Sequence, residues 1–396
     1  MGKVLCAWEL GSAFGHLGRF RRIADQLAAH GHEVDFALRE LGSAELMLGR
    51  TRFRWFQAPM LTPAFRPRTR PCTYTEILLQ HGYADPLRMT GQVNGWLALM
   101  EAVRPDLVML DYAPTAHIAA IIAGIPTATV SGSGGFVCLP RVSPVPAYYP
   151  QAPNAEKRAI QAEYRVLKSV NSVLKDYGSA PLEACWQLTS SNRDFLCTLP
   201  EADVYADLRT EKIYYPFACH SSEFLVPSWH PAARRKIFAY LKSYYRDLPE
   251  LIRRMSGCAD EVKVFVSEGP GAQFEIPENV EILNRPANLG SVVEACDVVV
   301  CHAGNETVMT TLLGGKPLLL IPLQMEQWLV ARQVVRSGAG LMVNLDSQGR
   351  DAGELLTRLF DSASFRDRAG TAASSGASGP GISEIIEGCE TLLSAS

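Results

Sequence analysis

The sequence predicts an α/β protein built as two doubly wound, parallel-sheet halves facing a cleft. Three observations carry that expectation. At 396 residues the chain exceeds the size at which single hydrophobic cores stop growing, so two domains are expected. Short apolar runs rich in β-branched residues recur in both halves and alternate with helical spacing, as in Val4 to Trp8, Leu107 to Leu110, Val262 to Val266 and Val298 to Cys301. Runs of that length read as strands buried on both faces of a parallel sheet. Finally, two of these runs lead through a loop containing glycine and a histidine into a helix, and such loops lie where open α/β sheets bind ligands.

In the first half, Val4 to Trp8 reads as a strand, followed by the loop Glu9-Leu10-Gly11-Ser12-Ala13-Phe14-Gly15-His16. A helix from about Leu17 to Ala29 carries Leu17, Phe20, Ile23, Ala24 and Leu27 on one stripe, with Gly31 as its stop and Glu33 to Leu38 as the second strand. Gly11, Gly15 and Gly18 do not make the spacing of a dinucleotide fingerprint, which leaves a dehydrogenase with Glu40 as ribose carboxylate a weak rival. Residues 51–100 are less regular, and Arg66, Arg68 and Arg70 among prolines read as a solvated loop. Helices are expected at Tyr74 to Leu79, Val93 to Val103 and Ala116 to Ala123, a strand at Pro126 to Val130, and a long helix over residues 155–177.

The second half begins after a proline-bearing stretch, residues 217–231, expected to be an interdomain linker. Strands are expected at Lys236 to Leu241, Val262 to Val266 and Val280 to Leu283. Val298 to Cys301 then runs straight into His302-Ala303-Gly304-Asn305-Glu306-Thr307, followed by Val308, Met309, Leu312 and Leu313 at helical spacing. Gly314-Gly315 ends that helix, and Leu318 to Ile321 is the next strand. Residues 370–381, rich in Gly, Ser and Ala, are expected to be loose, ahead of an amphipathic helix from Ile382 to Leu393.

The loop chemistry suggests a diphosphate. The first N–H groups of a helix have no internal partner and sit at the positive end of its dipole. Gly304 permits close approach of a phosphate to the backbone, and His302 and Thr307 offer side-chain donors. Glu326 and Gln327 pair an acceptor-only carboxylate with an amide, a set suited to neighbouring sugar hydroxyls. The plainer reading is that His302 and Thr307 cap one helix while Glu326 and Gln327 start the next. In the first half, His16 sits at a helix start whose dipole disfavours a proton on the ring. Asp111, at the carboxyl end of its strand, is the better placed orienting carboxylate; Asp106 lies at the far end.

The segment from His302 to Gln327 resembles the donor-binding segment of GT-B nucleotide-sugar glycosyltransferases. It is most similar to the family of plant and bacterial natural-product (UDP-glucosyl and macrolide) glycosyltransferases and rhamnosyltransferases. His302, Gly304, Thr307, Glu326 and Gln327 match that family's pattern, whereas Ala303 replaces a frequent Gly and Asn305-Glu306 departs from the commoner pairs. Gly15-His16 and Pro105 to Asp111 match the places of its acceptor-deprotonating His and orienting Asp. The resemblance implies the GT-B fold, two Rossmann-like domains facing a cleft. Residues 1–216 would be the acceptor domain and 232–380 the donor domain, with 381–396 a helix crossing back to the first. It implies an inverting, metal-independent hexosyltransferase that moves a sugar from a nucleoside-diphosphate sugar to a hydroxyl of a small, apolar or aromatic acceptor. His16 and Asp111 would be catalytic, and His302, Gly304, Asn305, Glu306, Thr307, Glu326 and Gln327 would bind the donor. Another GT-B enzyme such as a nucleotide-sugar epimerase, or a catalytically silent nucleotide-sugar-binding protein, is the alternative.

Composition narrows the partners. A formal net charge of −3 offers no general attraction to nucleic acid or anionic membrane. The ten cysteines form no Cys-x-x-Cys pair, which suits reduced thiols in a cytoplasmic protein. The first apolar run is too short for a signal peptide, and no stretch reaches the roughly 20 apolar residues of a membrane span. Neither a D-x-D motif nor paired-cysteine or His-Glu-x-x-His spacing suggests a metal.

Overall fold

A computed structural model describes residues 1–11, 15–60, 71–148, 152–218, 224–267, 274–344 and 351–395. The expected arginine loop at 66–70 therefore lies outside the described residues, as do positions 12–14 of the first loop. Two compact units emerge from the fold. The first comprises Met1–Leu196, Tyr205–Ile213 and Ile382–Ser396; the second comprises Cys197–Val204 and Tyr214–Gly381. Each holds one six-stranded parallel sheet with helices packed on it, the Rossmann-like plan expected from the runs of apolar residues.

In the first unit the strands are β1 (Lys3–Trp8), β2 (Glu33–Leu38), β3 (Arg54–Gln57), β4 (Leu107–Leu110), β5 (Thr127–Ser131) and β6 (Arg193–Leu196). They stand in the order β3-β2-β1-β4-β5-β6. The order reverses between β1 and β4, which pair directly from Val4–Leu107 to Ala7–Leu110. In β1 and β4 every apolar side chain from Val4 to Leu110 is buried, as a central parallel strand covered on both faces requires. The helices are α1 (Gly15–Ala29), α2 (Leu41–Leu48), α3 (Tyr74–Leu78), α4 (Pro86–Val103), α5 (Pro114–Ala123) and α6 (Ala155–Asp176). Helix α4 starts earlier than its periodicity suggests because Asp85 caps it, accepting from the Leu87 and Arg88 N–H groups, with Pro86 in the first turn.

The second unit repeats the pattern with β7 (Lys236–Lys242), β8 (Glu261–Ser267), β9 (Val280–Leu283), β10 (Val298–Cys301), β11 (Leu318–Leu320) and β12 (Gly340–Met342). Their order is β12-β11-β10-β7-β8-β9, so here the reversal falls between β7 and β10. The helices of this unit are α7 (Leu248–Ser256), α8 (Leu289–Ala295), α9 (Asn305–Leu313), α10 (Met325–Ser337), α11 (Ala352–Asp361) and α12 (Ala363–Ser378). A last helix, α13 (Ile382–Ala395), belongs to the first unit, where Glu390 pairs with the His30 ring at 2.8 Å.

Two sequence expectations change. Residues 370–381 are not loose: α12 runs to Ser378, with Ala369, Ala372 and Gly376 buried. Small residues are what this face needs, since a Cβ on Gly376 would lie 2.7 Å from Leu313 and 2.8 Å from Leu199. Close packing there overrides the weak helix propensity of Gly and Ser. The stretch 217–231 is not an independent linker either, because Leu225 donates its N–H to Pro286 (3.0 Å) and accepts from Asn288 (2.7 Å). That bridge joins its described part to the second unit, and residues 197–204 enter this unit well before the expected boundary.

Candidate active site

The first unit builds its site at the reversal of strand order. His16 lies in the first turn of α1, beyond β1, and Asp111 follows β4, the strand that pairs with β1. The register brings the side chains together: His16 Nδ1 lies 2.9 Å from Asp111 Oδ2, and both residues are buried. The Trp8 ring stacks on the imidazole at 5.0 Å between centroids. Among the described residues no hydrogen-bond partner faces Nε2. Gly11 lies beside that nitrogen with φ +86°, and a Cβ added there would stand 2.8 Å from Nε2. Glycine therefore supplies both the left-handed turn and the opening at the ring.

A third residue, Arg19, enters from the next turn of α1 and binds the same Oδ2 of Asp111 through Nη1. Its guanidinium lies against Gly132, where a Cβ would come within 1.6 Å of Nη2. Burial opposes the charge on Asp111, but Arg19 and His16 together outweigh it and hold the carboxyl below its ordinary range. The sequence reading passed over Arg19. Its signal was the i+3 spacing from His16, which puts both on one helix face. Asp106, as expected, is far from this chemistry and accepts the Lys3 N–H at 2.7 Å.

Glu9, at the end of β1, is a second residue that sequence reasoning passed over. Fully buried, it accepts from Thr115 N–H (2.8 Å), Ala116 N–H (3.3 Å) and the Trp96 ring N–H (2.9 Å), closing the start of α5. Burial pushes its carboxyl up to about 7 against those three donors. A relay of rings leads away from His16: Tyr112 at 6.4 Å, then Tyr74, Phe136 and Tyr148 at successive separations of 5.9, 5.8 and 5.3 Å. All four are buried, and the Tyr74 hydroxyl has no partner among the described residues.

The second unit places the His302–Thr307 loop beyond β10 and Glu326 and Gln327 in the first turn of α10, beyond the adjacent strand β11. His302 differs from expectation. Its Nδ1 lies 2.7 Å from the Ile321 carbonyl, and its Nε2 accepts the Lys242 N–H at 2.9 Å. The ring is thus the Nδ1-protonated tautomer with both nitrogens engaged by backbone, and has no donor left for a ligand as it stands. Burial, aided by Lys242, drives its pKa down to about 4, against the Ile321 carbonyl. Asn305 is likewise turned to local use, accepting from Thr198 (3.0 Å) and donating to the Cys197 carbonyl (3.2 Å). Gln327 accepts the Leu323 N–H at 2.8 Å, so it does begin its helix as the plainer reading holds. Glu306 and Thr307 lie in the first turn of α9, Thr307 buried.

The start of α9 leaves space at one residue, Gly304. Gly304 is its N-cap, makes no side-chain cap, and has nothing within 4 Å of where a Cβ would stand. The first N–H groups of this nine-residue helix lie at the positive end of its dipole. Ala303, just before it, holds a left-handed φ of +59°, which accounts for glycine being the frequent residue in the similar family.

Two parallel-sheet Rossmann-like units are the architecture of the GT-B glycosyltransferase structures. Residues 251–392 match the family model of the erythromycin biosynthesis protein CIII-like C-terminal domain. A 167-residue stretch is 26% identical to the aclacinomycin-T 2-deoxy-L-fucose transferase of Streptomyces galilaeus, covering 39% of this chain and 37% of that one. A PGL/p-HBAD biosynthesis glycosyltransferase of Mycobacterium tuberculosis is 21% identical over 364 residues, 86% of this chain and 83% of its own. Among solved structures, the spinosyn rhamnosyltransferase SpnG, complexed with thymidine diphosphate, aligns with a TM-score of 0.73 at 17% identity, over 98% of this chain and 100% of its own. The homologues and structural neighbours of the chain are thus glycosyltransferases. The stretch similar to the EryCIII-like domain covers most of the second unit and runs into α13 of the first.

Proposed function

We propose that this protein is an inverting glycosyltransferase that moves a sugar from a nucleoside diphosphate, thymidine diphosphate, to a hydroxyl of a small apolar or aromatic acceptor. The observation that carries the reading is the buried His16–Asp111 bond of 2.9 Å, which orients the imidazole and leaves Nε2 toward the glycine opening. The acceptor O–H would give its proton to Nε2 while the oxygen bonds to the anomeric carbon. The bond from that carbon to the diphosphate oxygen breaks on the opposite face, and its electron pair leaves with the nucleoside diphosphate. Asp111 would stabilise the imidazolium so formed. The N–H groups at the start of α9 would offset charge on the leaving diphosphate, with His302 holding the loop in place and Glu326 and Gln327 meeting the sugar. The aromatic relay from Tyr112 to Tyr148 supports an apolar acceptor. The thymidine assignment rests on the nucleotide bound by the structural neighbour.

His16→Ala tests the reading. Loss of a general base is worth about a hundred- to ten-thousand-fold in rate, roughly 3–5 kcal/mol of barrier. Calorimetry should find thymidine diphosphate affinity unchanged; a variant that transfers sugar at the wild-type rate would remove His16 from the mechanism. Charge compensation by the α9 amides also predicts activity after exhaustive EDTA treatment. Loss of activity that magnesium or manganese restores would reassign the diphosphate to a metal.

A further inference from the structure

We infer that Arg19 is a positioning residue of the proposed reaction, setting the basicity of His16 by sharing a single carboxylate oxygen with it. The inference rests on the reading of His16 as base, and its argument is geometric. Arg19 Nη1 and His16 Nδ1 both bind Asp111 Oδ2, while Oδ1 of that carboxylate has no partner among the described residues. Two cationic donors on one oxygen compete for the same negative charge. When His16 takes a proton, its new charge meets a permanent one held nearby by the same atom, in a site where all three side chains are buried. A guanidinium stays charged throughout the working range, so its effect on the imidazole has a constant sign. It makes protonated His16 less favourable than Asp111 alone would.

The surroundings indicate a built arrangement. Among the described residues, groups facing the pair include Arg19 from α1, Asp111 and Tyr112 beyond β4, Trp8 from β1, Gly11 beyond β1 and Gly132 beyond β5. Arg19 and Asp111 are the charged members of that set. Gly132 lets the guanidinium lie on the backbone where any Cβ would collide with it. A buried carboxylate bonded only to a histidine holds an imidazolium tightly, which serves proton retention better than proton uptake from substrate. Arg19 corrects this: Asp111 can orient the ring while the ring stays neutral and ready to accept.

The test is the titration of His16, followed by NMR of imidazole-labelled protein, beside the pH profile of kcat/KM. In Arg19→Gln the apparent pKa of the His16–Asp111 pair should rise by about one to two units, because a nearby charge is removed from a buried site. The acidic limb of kcat/KM should move up by the same amount, with the rate recovering at higher pH. Arg19→Lys, which keeps the charge, should restore the titration to within about half a unit of wild type. Should Arg19→Gln not fold, Gly132→Ala gives the same test by pushing the guanidinium off Oδ2 without removing it, and should shift the titration upward. A folded neutral variant with a wild-type titration overturns the inference. So does a rate loss equal at every pH, the mark of a merely structural role. If instead the titration shifts as expected while the pH profile ignores it, Arg19 tunes His16 as inferred and the reading of His16 as base is what fails.

Discussion

His16 and His302 stand in matching places and do opposite things. Each comes after a central strand at the point where its sheet reverses order, His302 shortly before a helix and His16 in the first turn of one. His16 bridges the reversal between β1 and β4 through a side chain, Asp111, and leaves one ring nitrogen open beside Gly11. His302 bridges the reversal between β10 and β7 through backbone, and spends its two nitrogens on Ile321 and Lys242. The difference lies in what the neighbouring strand ends present. A carboxylate can answer a change of charge on the ring; a carbonyl and an amide N–H can only fix its tautomer. The first arrangement suits proton transfer, and the second suits holding two strand ends so that the loop to α9 keeps its shape.

The largest expected effect that could break this contrast is a double dissociation. His302→Ala strands a buried carbonyl and a part-buried N–H, each worth up to about 1–3 kcal/mol when left without a partner. Urea unfolding should show a loss of roughly 2–5 kcal/mol, with weaker thymidine diphosphate binding as the loop shifts. His16→Ala should lose far more rate than stability. If His302→Ala keeps full stability while only diphosphate binding falls, the ring is a ligand group after all.

Acidification separates the same two regions. His302 has its pKa lowered from 6.5 to about 4, so between those values the unfolded chain binds more protons than the folded one. Its contribution is whole above pH 6.5 and is lost as pH falls through 4, by about 3 kcal/mol. Glu9 in the first unit is raised from 4.5 to about 7, which reverses the sign. Its contribution is whole below pH 4.5 and is lost, by about 3 kcal/mol, as pH rises through 7. Urea midpoints of wild type, His302→Asn and Glu9→Gln at pH 7.5 and pH 5 measure both. The stability advantage of wild type over His302→Asn should shrink on acidification, and its advantage over Glu9→Gln should grow. Parallel behaviour of the two differences would mean that burial does not displace these groups.

How far the sequence could have told these regions apart depends on which forces are local. Strands such as Val298–Cys301 were legible because a parallel strand buried on both faces must be a continuous apolar run. The pairing of His16 with Asp111 was legible because both sit at carboxyl ends of strands in one sheet. Arg19 was not, since a lone arginine on a helix normally reaches solvent, and only Gly132, more than a hundred positions away, makes room for it. The engagement of His302 was hidden for a related reason: its partners are backbone groups, which every residue carries and no sequence motif marks. Helix α12 was missed because its small residues answer to packing against Leu199 and Leu313 rather than to propensity.

The smallest expected effect lies beside His302. Ala303 holds φ +59°, a left-handed conformation that costs an L-residue about 1 kcal/mol and glycine nothing. Relief of strain alone would make Ala303→Gly stabilising. Two terms oppose it. The Ala303 methyl belongs to the core cluster of the second unit and is only 1% exposed, so deleting it forfeits about 0.8 kcal/mol of burial. Glycine also gains freedom in the unfolded chain, worth roughly 0.5–1 kcal/mol. The sum is a loss smaller than about 1 kcal/mol, visible as a small downward shift of the urea midpoint at unchanged slope. A gain would mean that strain at this turn outweighs packing. A loss above about 2 kcal/mol would mean that the methyl braces the loop. At Gly11 the corresponding exchange runs the other way, since a methyl there adds strain and crowds Nε2 of His16. The loop that leads to His16 needs its glycine for space, whereas the loop fixed by backbone can carry a buried methyl in the same unfavourable conformation.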